Sequence, residues 1–126
     1  MKKKILLVDD ERDLVTAVTF RLNAEGYDVI SALDGQAALD MAKKEKPDLI
    51  ILDLMLPKLN GYKVCSLLKA DMRYRRIPII MFTARVQEAD KKMGLEAGAD
   101  AYITKPFEAS ILLAKVKEFL GEEAGA

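Results

Sequence analysis

The sequence predicts a parallel α/β domain, and two observations lead to that prediction. Short, almost continuously apolar runs alternate with longer amphipathic runs along the 126 residues. Such runs are typical of strands covered on both faces and of the helices that cover them. Strand followed by helix, five times over, favours parallel strands joined by right-handed crossovers.

The predicted strands are apolar runs of three to six residues: Ile5–Val8, Val29–Ala32, Leu49–Leu52, Ile77–Phe82 and Ala101–Ile103. Each is followed by apolar residues at helical spacing, which predict a helix. These stripes include Leu14, Val18 and Leu22; Ala38, Met41 and Ala42; Val64, Leu67 and Leu68; the stretch Val86–Ala97; and Leu112, Val116 and Phe119. Gly26 and Gly98 fall where two of the helices should end.

The amino-acid composition is typical of a single globular domain. Hydrophobic residues make up 51% and charged residues 32%, as expected of one globular domain, which we place at residues 1–121 with a short flexible tail at 122–126. The formal net charge is zero, which favours neither nucleic acid nor a membrane as a partner. One cysteine and no secretory or membrane-spanning segment are consistent with the cytoplasm.

The sequence contains no histidine. This excludes Ser-His-Asp or Cys-His catalysis, an imidazole base and His-ligated zinc within these residues. Chemistry in this domain must therefore depend on carboxylates, lysine, hydroxyl groups and bound ions.

Polar side chains follow four of the predicted strands. Asp9 and Asp10 come after the first strand, Asp53 after the third, and Thr83 and Lys105 after the fourth and fifth. The carboxyl ends of parallel strands meet at one edge of the sheet, where clustered carboxylates would raise each other's pKa. Oxygen ligands of this kind suit Mg²⁺. With a lysine, they would form a site for a phosphoryl group that a carboxylate could accept as a nucleophile.

Four motifs carry a resemblance to a known family. They are VDDE at Val8–Glu11, ILDLMLPKLNG at Ile51–Gly61, FTA at Phe82–Ala84 and AGADAYITKPF at Ala97–Phe107. In this order they resemble the receiver domains of two-component response regulators, over Lys4 to about Leu120. The resemblance implies a doubly wound, five-stranded parallel sheet of order 2-1-3-4-5 with five helices, a flavodoxin-like or CheY-like fold.

The resemblance also implies a role for each acidic residue of the cluster. Asp53 is similar to the phosphoacceptor of the family. Asp9 and Asp10 are similar to the acidic pair that holds Mg²⁺ together with Asp53 and the backbone carbonyl of Met55.

Further roles are implied at the last two strands. Thr83 and Lys105 would bind phosphoryl oxygens, and Lys105–Pro106 would be a cis peptide bond. Tyr102 would be the switch aromatic, moving with Thr83 on phosphorylation.

The implied function is a phosphorylation-dependent switch. A sensor histidine kinase or a histidine phosphotransfer protein would supply the phosphoryl group, and the domain would catalyse transfer to its own aspartate and its later loss. The face formed by the fourth predicted helix, the fifth strand and the fifth predicted helix would signal to an output protein or output domain. A monomer and a phosphorylation-dependent dimer are both open, as are a stand-alone receiver and part of a longer regulator.

Simpler interpretations stand beside these roles. Asp9 or Asp10 could cap the first helix, Thr83 could pack within its strand, Lys105 could be a solvated loop residue, and Tyr102 could belong to the core. Two other classes of function remain as alternatives: a structural domain with an idle switch, and a phosphatase with a nucleophilic aspartate. Many such phosphatases have a second aspartate two residues after the first, where this chain has Met55.

Overall fold

A computed structural model describes residues 2–84, 92 and 96–121. Five strands form one parallel sheet in the order β2-β1-β3-β4-β5, which confirms the predicted topology. The strands are β1 (Lys4–Val8), β2 (Asp28–Ala32), β3 (Leu49–Leu52), β4 (Ile79–Thr83) and β5 (Ala101–Thr104). The helices are α1 (Arg12–Ala24), α2 (Gly35–Glu45), α3 (Gly61–Ala70) and α4 (Ala109–Leu120).

The fourth predicted helix lies mostly outside the described residues, and β4 begins later than predicted. The fourth predicted helix, Val86–Ala97, lies outside the described residues except for Lys92, Glu96 and Ala97, so α4 is the fifth predicted helix. The prediction of β4 was wrong at its start, because the strand begins at Ile79. The Ile77 amide donates to Tyr74 O at 3.0 Å within a turn, and Pro78 has no N–H for a sheet hydrogen bond.

The sheet has a buried apolar cluster on each face. In β1 and β3 the side chains alternate between the two clusters, as the period of a strand requires. One cluster contains Leu6, Val8, Ile50 and Leu52 and packs under α2 and α3. The other contains Ile5, Leu7, Leu49 and Ile51 and packs under α1 and α4.

These two layers explain the near-continuous apolar runs, since every residue of β1 after Lys4 and every residue of β3 is buried.

Cys65 is buried in the cluster beneath α3, and burial raises its pKa to about 11, in agreement with a packing role. Among the described residues, no helix is long and apolar enough to cross a membrane.

Candidate functional site

The carboxyl ends of β1 and β3 bring the predicted acidic residues together. Val8 and Leu52 are register partners in adjacent strands, so the residues that follow them emerge side by side. The Asp53 amide donates to Val8 O at 2.9 Å, and the Asp9 amide donates to Ala32 O at 3.2 Å. Ordinary sheet pairing therefore fixes the backbone from which these carboxylates project.

Three carboxylates form a compact cluster at this edge. One oxygen from each of Asp9, Asp10 and Asp53 can be chosen so that all lie within 4.8 Å of one another. Asp9 is fully buried and Asp53 is 4% exposed, whereas Asp10 is exposed. Three hard oxygen donors with one side open to solvent fit a divalent cation that keeps part of its water shell.

The cluster changes the acidity of Asp53. Burial raises its pKa from 3.8 to about 6, helped by the negative charge of Asp9 and opposed by Lys105 and by the Met55 amide. That amide donates to Asp53 Oδ1 at 3.3 Å. The pKa of about 6 leaves Asp53 mainly ionised near neutral pH, at a cost that a cation would reduce.

Lys105 brings a positive charge from the end of β5 to the same cluster. Its Nζ donates to Asp9 Oδ2 at 2.6 Å and to Glu11 Oε1 at 3.2 Å, and it lies 3.6 Å from Asp53 Oδ2. The lysine side chain is only 11% exposed. Burial acts to lower its pKa, but the hydrogen bond to Asp9 and the nearby carboxylates outweigh burial and raise it.

The remaining predicted residues lie on β4, β5 and the loop after β3. Thr83 ends β4 opposite Thr104, and its side chain lies outside the described part of the structure. Tyr102 is partly buried on β5 and packs against the cluster under α2 and α3. The Lys105–Pro106 peptide bond is cis, and the Met55 side chain is 54% exposed.

Neither Asp9 nor Asp10 is the N-cap residue of α1. Glu11 occupies the N-cap position, with no side-chain capping bond. Asp9 Oδ1 accepts the Glu11 amide at 2.9 Å, so this carboxylate orders the entry to the helix while its other oxygen binds Lys105. Asp10 has neither contact and remains exposed beside the cluster.

The response regulator receiver domain model matches residues 5–117 of the chain. The chain belongs to the response regulator receiver family. Receiver domains are signalling domains that work with a histidine kinase and an output domain. This identifies the chain as a receiver domain of a two-component response regulator and confirms the resemblance drawn from its four motifs.

A curated receiver-containing relative is the alkaline phosphatase synthesis transcriptional regulatory protein PhoP of Bacillus subtilis (strain 168). It is 52% identical over 120 residues, which are 95% of this chain and 49% of that protein. The chain therefore spans about half the length of this relative.

Two solved structures show the same fold. Chemotaxis protein CheY4 of Vibrio cholerae is 32% identical with a TM-score of 0.89, over 95% of this chain and all of that one. The receiver domain of sensor histidine kinase PA1611 from Pseudomonas aeruginosa PAO1 is 33% identical with a TM-score of 0.88, over 96% and 99% of the two chains. That structure has a magnesium ion coordinated in the active-site cleft.

Sequence reasoning missed three contributors to this receiver site. Glu11 lies inside the VDDE motif, yet nothing in the spacing showed that it reaches Lys105. Lys105 Nζ also lies 5.0 Å from the ring centroid of Phe82, and Phe82 packs edge-to-face with Phe107 at 4.8 Å. The KPF motif places Phe107 beside the lysine in sequence, but nothing in the sequence showed that Lys105 lies against Phe82.

Proposed function

We propose that this receiver accepts a phosphoryl group on Asp53 from a phosphohistidine of a partner protein, in a Mg²⁺-dependent reaction, and that the phosphorylated domain signals to an output component. The observation that carries the proposal is the meeting of three carboxylates with Lys105 at one sheet edge. Transfer of a phosphoryl group requires mainly positioning and charge neutralisation, and this edge is arranged for both.

Asp9, Asp10, Asp53 and the backbone carbonyl of Met55 would hold the metal ion. When bound, Mg²⁺ supplies positive charge to the phosphoryl oxygens and to the acidic cluster. The fit rests on the donors themselves, which are oxygen atoms with no nitrogen or sulfur among them, as Mg²⁺ prefers.

In the proposed transfer, an Asp53 carboxylate oxygen attacks the phosphorus atom of the phosphohistidine. A phosphorus–oxygen bond forms as the phosphorus–nitrogen bond breaks, and the electron pair of the broken bond returns to the imidazole nitrogen. Lys105 pairs with one phosphoryl oxygen, and the Thr83 hydroxyl donates to another. Because residues 1–126 contain no histidine, the phosphohistidine that donates the group lies outside them.

The acyl phosphate is then lost by hydrolysis, in which a water oxygen attacks phosphorus and the Asp53 carboxylate leaves. We therefore propose self-catalysed phosphorylation and dephosphorylation, with no turnover of a separate metabolite. The reactions take place within residues 1–121, and the predicted tail at residues 122–126 lies outside the described part of the structure.

The partners follow from the same proposal. The donor is a sensor histidine kinase or a histidine phosphotransfer protein. The receiver domain itself would act in the cytoplasm. Thr83 and Tyr102 carry the switch to the face formed by segment 86–97, β5 and α4. The Bacillus relative is a transcriptional regulatory protein, which favours an output domain in gene control. The receiver itself would not contact nucleic acid, and it would act as a monomer or as a phosphorylation-dependent dimer.

The proposal is tested by intact mass after incubation with a small-molecule phosphodonor, with Mg²⁺ and with EDTA. We expect one added phosphoryl group in Mg²⁺ for the native chain and none for Asp53→Asn. Asp40→Asn is the matched control, because Asp40 is an exposed carboxylate on α2 that accepts a hydrogen bond from Gln36 Nε2, away from the cluster. An added group on Asp53→Asn, or equal labelling in EDTA, would contradict the proposal.

A further inference from the structure

The loop after Asp53 is closed tightly at its base. It runs from Leu54 to Asn60, and the Gly61 amide then donates to Leu54 O at 3.0 Å. A Cβ atom at Gly61 would lie 2.3 Å from Asp53 O. The first turn of α3 is therefore seated directly on the backbone of Asp53, and the loop between these points has little freedom at its ends.

The far side of this loop holds an uncommon backbone turn. Lys58 has a φ of 66°, and the Leu59 amide donates to Pro57 O at 2.7 Å. A three-residue γ-turn with positive φ is rare and strained, more so for a residue with a side chain. Such a turn persists where neighbouring structure holds it in place.

The neighbouring structure is the start of α2. The Gly35 amide donates to Pro57 O at 3.3 Å, and Asp34 Oδ2 lies 3.6 Å from Lys58 Nζ. A Cβ atom at Gly35 would lie 1.6 Å from Leu59 O and 2.5 Å from Leu59 C. Because these atoms are backbone, a side-chain rotation could not relieve the contact.

We infer that Gly35 is a positioning residue for the Met55 carbonyl, because it lets α2 hold the loop in the conformation that completes the metal site. The inference rests on the proposed function, in which that carbonyl is a metal ligand. An added Cβ would push the Leu59 carbonyl away by more than an ångström. Gly61 fixes the loop base, so the residues from Met55 to Lys58 would absorb the shift.

The inference predicts an effect on metal affinity at a position that contacts no metal ligand in the described structure. Losing a group that orients a ligand typically weakens metal binding about 10–100-fold. We expect Gly35→Ala to weaken Mg²⁺ binding by at least about tenfold, measured by titration calorimetry of the folded full chain.

Gly98→Ala is the matched control for this titration. Gly98 has a φ of 101°, and a Cβ there would lie 2.8 Å from Lys69 Cγ, so the variant is also strained but its nearest neighbour is the Lys69 side chain and not the loop. We expect it to bind Mg²⁺ within about twofold of the native chain. Native affinity in a folded Gly35→Ala variant, or an equal loss in both variants, would overturn the inference.

The native chain offers a second test that does not depend on how Gly35→Ala folds. Amide exchange would be compared, with and without saturating Mg²⁺, at Gly35 and at Ala38, whose amide donates to Asp34 O within α2. Mg²⁺ stabilises the conformation that binds it, so it slows the exchange of any amide that is exposed only when the metal site opens. We therefore expect Mg²⁺ to slow exchange more at Gly35 than at Ala38. Equal changes at both amides would overturn the inference. No Mg²⁺ binding by the native chain would instead overturn the proposed metal site itself.

Discussion

The two edges of the sheet each hold a partly buried lysine beside an aspartate, but the surroundings differ. At the amino-end edge, three acceptors meet the Lys69 ammonium group: Arg75 O at 3.1 Å, Ile77 O at 2.8 Å and Asp100 Oδ2 at 2.8 Å. Asp100 Oδ2 also accepts the Ile79 amide at 2.8 Å. One cation faces one anion, and all three lysine donors are used.

At the carboxyl-end edge, the negative charges outnumber the positive charge. Lys105 faces the carboxylates of Asp9, Glu11 and Asp53, with Asp10 completing the acidic cluster. A lysine that meets one carboxylate and two carbonyls stabilises the fold. A lysine outnumbered by carboxylates leaves negative charge for a cation to neutralise, so the charge surplus is what distinguishes the functional edge from the structural one.

Lys105→Met should give the largest effect, on chemistry. Removing one positive group that stabilises developing charge typically costs about 100-fold in rate, so we expect phosphoryl transfer from a small donor to slow by about that factor. The rate would be followed by intact mass at saturating Mg²⁺. A native rate in this variant would remove Lys105 from the transfer step.

Lys69→Met should give the opposite pattern, with a loss of stability and unchanged chemistry. It leaves two backbone carbonyls and Asp100 without their shared donor, and groups left unsatisfied in this way cost about 1–3 kcal/mol. Because the lysine side chain is only 16% exposed, we expect a loss of about 2 kcal/mol in urea unfolding. A stable variant that fails to accept phosphate would break the comparison between the two edges.

Asp53→Asn should raise stability in metal-free buffer. The pKa of Asp53 rises from 3.8 to about 6, which corresponds to at most about 3 kcal/mol against the ionised form. Burying the polar amide of Asn also costs free energy, so we expect the free energy of unfolding to rise by only about 1–2 kcal/mol at neutral pH.

The sign of the pH dependence follows from the raised pKa. The protonated carboxyl contributes stability that is present below pH 3.8 and is lost as the pH rises through about 6. The advantage of Asp53→Asn in EDTA should therefore shrink as the pH falls from 7 towards 4. Urea unfolding at several pH values would check this, and an advantage that grows on acidification would contradict it.

Lys58→Met should give the smallest effect. The Lys58–Asp34 ion pair is 3.6 Å long and the lysine side chain is 71% exposed, and exposed pairs of this kind contribute about 0–1 kcal/mol. We expect urea unfolding to change by less than about 0.5 kcal/mol. A larger loss would show that surface pairing, as well as backbone contact, holds the loop.

The sequence was sufficient for the features that depend on strand ends. Asp9, Asp53 and Lys105 converge because parallel strands end at a common edge, and the apolar runs predicted those strands. The Lys69–Asp100 pair was missed because its partners are separated by 31 residues and meet only through the path of the loop before β4. The contact between Gly35 and Leu59 was not predicted, because it depends on how α2 sits against a distant loop.

The assignment of Asp53 as the phosphoacceptor is best tested by locating the acyl phosphate in the labelled chain. The native chain would be labelled with a small phosphodonor in Mg²⁺ and treated with borohydride, which reduces an aspartyl phosphate to homoserine, and its peptides would then be mapped by mass. We expect homoserine in place of Asp53, with Asp9 and Asp10 unchanged. Reduction at either of those residues, with Asp53 intact, would contradict this assignment.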